Sequence, residues 1–177
     1  MTRCTIRTTN RNGATIIHVI CGVLAIAWLL SPAAITHADE APAILLPAGM
    51  EDDVITQHLR AGEFDEAREV AESQFGRAEG QLALRLYQHG MAHLGLARET
   101  DDADHYKTAG ISFMRALTYF PRSRFAGYAE LELGYIHARI GRDDIARRLL
   151  TRVRPAIDPE QDPDYHERLM TLLDELP

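Results

Sequence analysis

His89 and His93 lie four residues apart, so on a helix their imidazoles project from one face, the spacing at which two histidines can share a zinc ion. A protease-type His-Glu-x-x-His site would need glutamate at position 90, where glycine stands. A third ligand would have to come from Asp101, Asp102, Asp104 or His105 in the loop that follows. The pair therefore reads as groove-lining or surface histidines, and no metal or cofactor is expected. The acids of segment 158–167, DPEQDPDYHE, invite comparison with a calcium loop, but Pro163 occupies the position that needs glycine and no glutamate closes the loop twelve residues on. That stretch reads as a capped linker. Ser73, Ser112 and Ser123 sit in no Gly-x-Ser-x-Gly turn, and no glycine-rich phosphate loop occurs. The expectation is a protein without catalytic residues, and not an enzyme.

The distribution of charge divides the chain. Its first 38 residues carry three arginines and no acid, while the other 139 (177 minus 38) hold all 26 Asp and Glu against 16 Lys and Arg. A segment with ten excess negative charges makes a poor partner for nucleic acid or an anionic bilayer. Arg3, Arg7 and Arg11 precede the apolar run Ile16 to Leu30, and SPAAITHA then ends in small residues before Asp39. This is the layout of a signal peptide, with cleavage expected after Ala38 and export to the periplasm or medium. The apolar run falls short of the roughly 20 residues a membrane helix needs, so no stable span is expected after cleavage. Both cysteines, Cys4 and Cys21, and the single Trp28 lie in this leader, which leaves the exported part without thiol chemistry.

The elements that must position any binding residue are helices. Residues 39–50, with two prolines and a glycine, read as a flexible tether; from Glu51 onward no stretch alternates apolar and polar residues, and Ala, Leu, Arg and Glu dominate. Breaks at Gly62, Gly76 to Gly80, Glu99 to His105, Pro121, Gly141 and Pro155 to Pro163 cut the chain into seven short amphipathic helices, none stable alone. Asp158-Pro159 and Asp162-Pro163 each place an N-cap residue before a first-turn proline.

The breaks recur. Gly62 precedes Ala67 by five residues, Gly141 precedes Ala146 by five, and between them Tyr106, Ala109, Phe113, Ala116 and Pro121 form a third set. The alanines Ala67, Ala109 and Ala146 are 42 and 37 residues apart, a helical-hairpin period. Two antiparallel helices approach closely only where one offers a small side chain, a left-handed glycine ends the first of them, and stacking covers the faces that one hairpin leaves bare.

These residues resemble the tetratricopeptide repeat, whose pattern runs Trp-x2-Leu-Gly-x2-Tyr, Gly, Ala-x3-Phe, Pro. Leu133-Gly134 is followed by Gly141 and Ala146, while Glu130 and His137 replace the tryptophan and tyrosine. In the middle hairpin either Leu94-Gly95, with a turn longer by two residues, or Gly90 can supply the glycine of the first helix. Phe120-Pro121-Arg-Ser123-Arg-Phe125-Ala126 ahead of Leu133-Gly134 is similar to the junction in periplasmic tetratricopeptide proteins of the Tol-Pal coordinator and barrel-assembly lipoprotein type. The resemblance implies an all-α, right-handed superhelical stack of about three hairpins (51–78, 80–121 and 123–156) plus a capping helix over 163–176. It also implies a concave face that binds a protein or peptide of the cell envelope, lined by Tyr128, Leu131, Glu132, Tyr135 and Arg139, with His89 and His93 or, in the other register, Tyr87 and Met91. Self-association of the stack, and a small metal-dependent enzyme built on His89 and His93, are the alternative readings.

Overall fold

The structure, a computed structural model, describes residues 44–78 and 80–177. The expected signal peptide and the first residues of the tether, 39–43, lie outside the described residues. The described part is all-helical: α1 (Val54–Ala61), α2 (Phe64–Gln74), α3 (Leu82–Thr100), α4 (Ala103–Tyr119), α5 (Ala126–Arg139), α6 (Asp143–Val153) and α7 (Pro163–Glu175), with single 3-10 turns at Phe75–Arg77 and Arg154–Ala156 and no strand among the described residues. Each helix packs on the next in sequence, and α1 also reaches α3.

Local chemistry explains the helix ends. Asp53 caps α1 by accepting the Thr56 amide at 2.9 Å. Gly62 (φ 76°) and Gly141 (φ 70°) take the left-handed conformation after α1 and α5. The next amides, of Glu63 and Arg142, then return to the carbonyls of His58 and His137 at 2.9 Å, closing both helices in the same way. After α3 the left-handed position is filled by Asp101 (φ 53°) instead of glycine. Pro163 occupies the first turn of α7, but Asp162 does not cap it with its side chain, because that carboxylate is engaged elsewhere.

Small residues sit where helices meet. Ala67, Ala109 and Ala146 are wholly enclosed, as is Ala116, and Tyr106, Phe113 and Leu133 belong to the core. A Cβ on Gly134 would fall 2.6 Å from Leu150 of α6, and one on Gly90 would fall 2.5 Å from the ring of Phe113 of α4. Gly90 therefore stands to α4 as Gly134 stands to α6. Gly95 turns the other way, against the ring of Phe64 on α2. Within the middle pair the glycine that meets the second helix is thus Gly90, while on the 19-residue α3 Gly95 falls on another face and receives α2 of the preceding pair.

A polar cluster fastens α1 to α3. Arg85 pairs with Asp53, and Gln88 donates to Asp53 at 2.8 Å and to Thr56 at 2.9 Å. Burial pushes the Asp53 pKa up, but these hydrogen bonds and the Thr56 amide outweigh it and hold the carboxyl below its ordinary value. The stretch expected to be a loose tether is also tied down from residue 44 onward. Pro47 and Met50 are buried, Ile44 and Leu46 pack on the core, and Ala48 donates its amide to Asp162 at 2.9 Å.

Candidate functional site

Two side-chain clusters bring together the chemistry of the chain. The first joins α5, α7 and α3. Tyr128, Glu132 and Tyr135 fall three or four residues apart and so share one face of α5, the face expected to receive a partner. Helix α7 of the same chain lies over it. The Tyr165 ring meets that of Tyr128 edge-on at 4.8 Å, and its hydroxyl lies 2.9 Å from Tyr87 on α3 and donates to the Leu45 carbonyl at 2.5 Å. Arg168 donates to Glu132 at 2.7 Å and stacks on Tyr135 at 5.0 Å, while Arg98 of α3 covers the ring at 4.8 Å. Tyr128 donates to Asp162. Burial, the largest cause in each case, lifts the phenol pKa of Tyr87, Tyr128 and Tyr165 above its ordinary value.

The expectation of a solvent-facing wall is thereby corrected for part of its membership. Leu131 and Glu132 are fully enclosed: Leu131 joins a cluster with Leu150 and Val153 of α6 and Tyr165 and Leu169 of α7, and Arg168 of α7 pairs with the Glu132 carboxylate. Tyr128 and Tyr135 are half-buried, and Arg139 remains exposed beside Asp101 at 3.5 Å. His89 and His93 are buried as well, at 8% and 7% exposure, and so line no open groove. The segment 158–167 fastens the chain: Asp162 ties residue 48 and Tyr128, and Asp158 accepts the Glu160 amide at 2.9 Å. Two arginines of α6 are engaged within the chain, Arg152 with Glu130 and Arg147 with the carbonyls of Leu176 and Pro177 at 2.6 and 2.7 Å.

The second cluster contains the histidine pair. The rings of His89 and His93 meet at 4.5 Å, and His93 Nδ1 lies 3.0 Å from His105 Nδ1 on α4. His89 Nδ1 lies 2.8 Å from Ser112 Oγ, and His89 Nε2 lies 3.6 Å from a carboxylate oxygen of Glu72 on α2. His105 was among the residues the spacing suggested; Asp101, Asp102 and Asp104 do not join. Glu72 carries no sequence signal, since it lies 17 residues before His89 on another helix, and only the packing of α2 on α3 brings them together.

Burial, followed by the neighbouring His89 and His105, pushes the His93 pKa from 6.5 down to about 4, and burial lowers His89 against the pull of Glu72. The groups facing the pair are Glu72 and Arg68 from α2 and His105, Ser112 and Arg115 from α4. A depressed folded pKa means that the unfolded chain takes up protons first as pH falls, so the stability these rings contribute is complete above 6.5 and is lost toward about 4. Urea midpoints measured with chelator present should drop between about pH 6.5 and about pH 4.5, and the drop should shrink in His93→Gln.

No protein-family model, curated protein or solved structure matches this chain. No described helix is long and apolar enough to cross a membrane.

Proposed function

We propose that this chain is an exported, non-enzymatic adaptor of tetratricopeptide-like build, a right-handed superhelical stack of three hairpins and a capping helix that binds a protein or peptide of the cell envelope. One observation carries the reading: the same small-against-large contact recurs in successive pairs, Gly90 on Phe113 and Gly134 on Leu150, with Ala67, Ala109 and Ala146 all enclosed. Hairpins joined in this way form a surface larger than any one of them provides. The face of α5 has the composition of a helix-binding groove, aromatic rings with arginine, and an amphipathic helix, the chain's own α7, already lies on it. The partner's share is the exposed end of that face, at Arg139 and the open edge of Tyr135.

A photoreactive residue at position 139 tests the reading in cells. The expected result is an adduct to one discrete envelope protein, from a chain that light scattering shows to be monomeric at every concentration and whose mass begins at Asp39. Adducts only to a second copy, with a concentration-dependent dimer, would replace the adaptor by a self-associating module. A mass that includes the leader would overturn cleavage after Ala38 in favour of a retained anchor.

A further inference from the structure

We propose that Glu72, His89 and His93 bind a zinc-class divalent transition metal ion, with His105 positioning His93. The proposal is independent of the adaptor reading, because no residue of this cluster lies on the α5 face.

Ligand atoms of Glu72, His89 and His93 lie within 4.8 Å of one another. Ligands at ~2.1 Å around a tetrahedral zinc stand about 3.4 Å apart, so closure needs rotamer-scale movement only. The side chain able to supply it is Glu72, which is 47% exposed, while the two imidazoles are held by packing. Phe75 walls the cluster, its ring 5.1 Å from that of His89.

The hydrogen bonds orient both rings inward. Ser112 Oγ donates its one hydrogen to the Thr108 carbonyl at 3.1 Å, so toward His89 it acts as acceptor, and the His89 proton sits on Nδ1. Nε2 then presents its lone pair toward the Glu72 carboxylate at 3.6 Å. Two lone-pair atoms facing one another repel unless a cation, a proton on Nε2 or a metal ion, lies between them. His93 Nδ1 is engaged with His105 Nδ1, and with His93 as the donor of that pair its Nε2 is the nitrogen left to bind. A ligating imidazole whose other nitrogen is fixed by an outer partner is the usual form of a metal-binding histidine. Two imidazoles and one carboxylate favour a zinc-class ion over calcium or magnesium, which take oxygen ligands. A water reaching the half-exposed Glu72 would complete four-coordination. Arg68 contacts both Glu72 oxygens at 3.3 Å and competes for them, so the ion must displace this surface pair. Because the ligands come from α2 and α3, and the positioning histidine from α4, the ion would clamp the first hairpin to the second.

The test uses the full chain, freed of metal by chelator and titrated with zinc chloride in a calorimeter. One equivalent should bind and raise the melting temperature. Cobalt(II) at the same site should give the intense visible absorption of four-coordination. Glu72→Gln, at an exposed position that cannot cost the fold, should weaken zinc at least tenfold; His89→Gln with His93→Gln, checked for helicity by circular dichroism, should abolish stoichiometric uptake. His105→Ala should weaken binding less than Glu72→Gln and keep the cobalt spectrum. Absence of a stoichiometric site, undiminished affinity in Glu72→Gln, or uptake that survives in the double histidine variant would each overturn the assignment.

Discussion

Gly90→Val is expected to cost about 3 kcal/mol, a large part of the ~5–15 kcal/mol that holds a domain of this size together. A Cβ at position 90 would lie 2.5 Å from one ring carbon of Phe113 and 2.8 Å from two more. Real carbons do not approach so closely, and Phe113 has no room to retreat: it is fully enclosed, with the Tyr87 ring, one turn before Gly90 on α3, 5.8 Å away. The helices must separate, and the core of the middle pair opens. Gly110→Ala is the control. It also replaces a glycine inside a helix, yet its Cβ would sit 3.8 Å from Leu133 in ordinary contact, so the gain of ~0.5–1 kcal/mol from a stiffer backbone should appear unopposed. Urea unfolding should show midpoints moving in opposite directions. Movement in the same direction would mean that helix propensity, and not close approach, governs both sites.

Glu132→Gln is expected to cost about 3 kcal/mol and to loosen α7 from α5. Glu132 is wholly buried, with the Arg168 guanidinium at 2.7 Å and that of Arg98 at 3.9 Å, and the two arginines sandwich Tyr135. Its carboxylate is the acid that pairs with both of these guanidinium groups. The amide keeps the shape and one hydrogen bond but removes the charge, so two cations are left close together and poorly solvated. Limited proteolysis in the 158–163 linker should accelerate in parallel with the fall in urea midpoint. Replacing the whole triad, Glu132→Leu with Arg168→Met and Arg98→Met, should restore much of the loss, since apolar side chains of similar volume leave no buried charge unpaired. An unchanged midpoint in Glu132→Gln would mean that apolar contacts at Tyr165, Leu169 and Leu176 hold α7 in place by themselves.

Both effects rest on pairs that are distant in sequence, and this marks how far the residues could be read in advance. The helical breaks at Gly62 and Gly141 were legible because a left-handed turn is a local demand of the backbone. The stripes that bury Ala67, Ala109 and Ala146 were legible because the helical period is local too. For α7 the amphipathic character of a capping helix was visible, but the surface it would cover was not. The same residues that make a good inner wall, Tyr128, Leu131 and Glu132, make an equally good seat for the chain's own last helix. Asp162 illustrates the limit at one residue: its place before Pro163 suggested a cap, yet its carboxylate serves Ala48 and Tyr128, which are far off in the chain.

By itself, then, the sequence determined helices from residue 51 onward, a basic and apolar first 38 residues, an acidic remainder and small residues placed at hairpin spacing. Those properties depend on neighbours within one or two turns and on total charge. The tertiary structure alone decided that Gly90 and Gly95 serve opposite faces of α3, that α7 covers Glu132, and that Glu72 meets His89 and His93. Each of these depends on which helix faces which, and residue periodicity fixes the direction a side chain takes from its own helix without fixing what waits there.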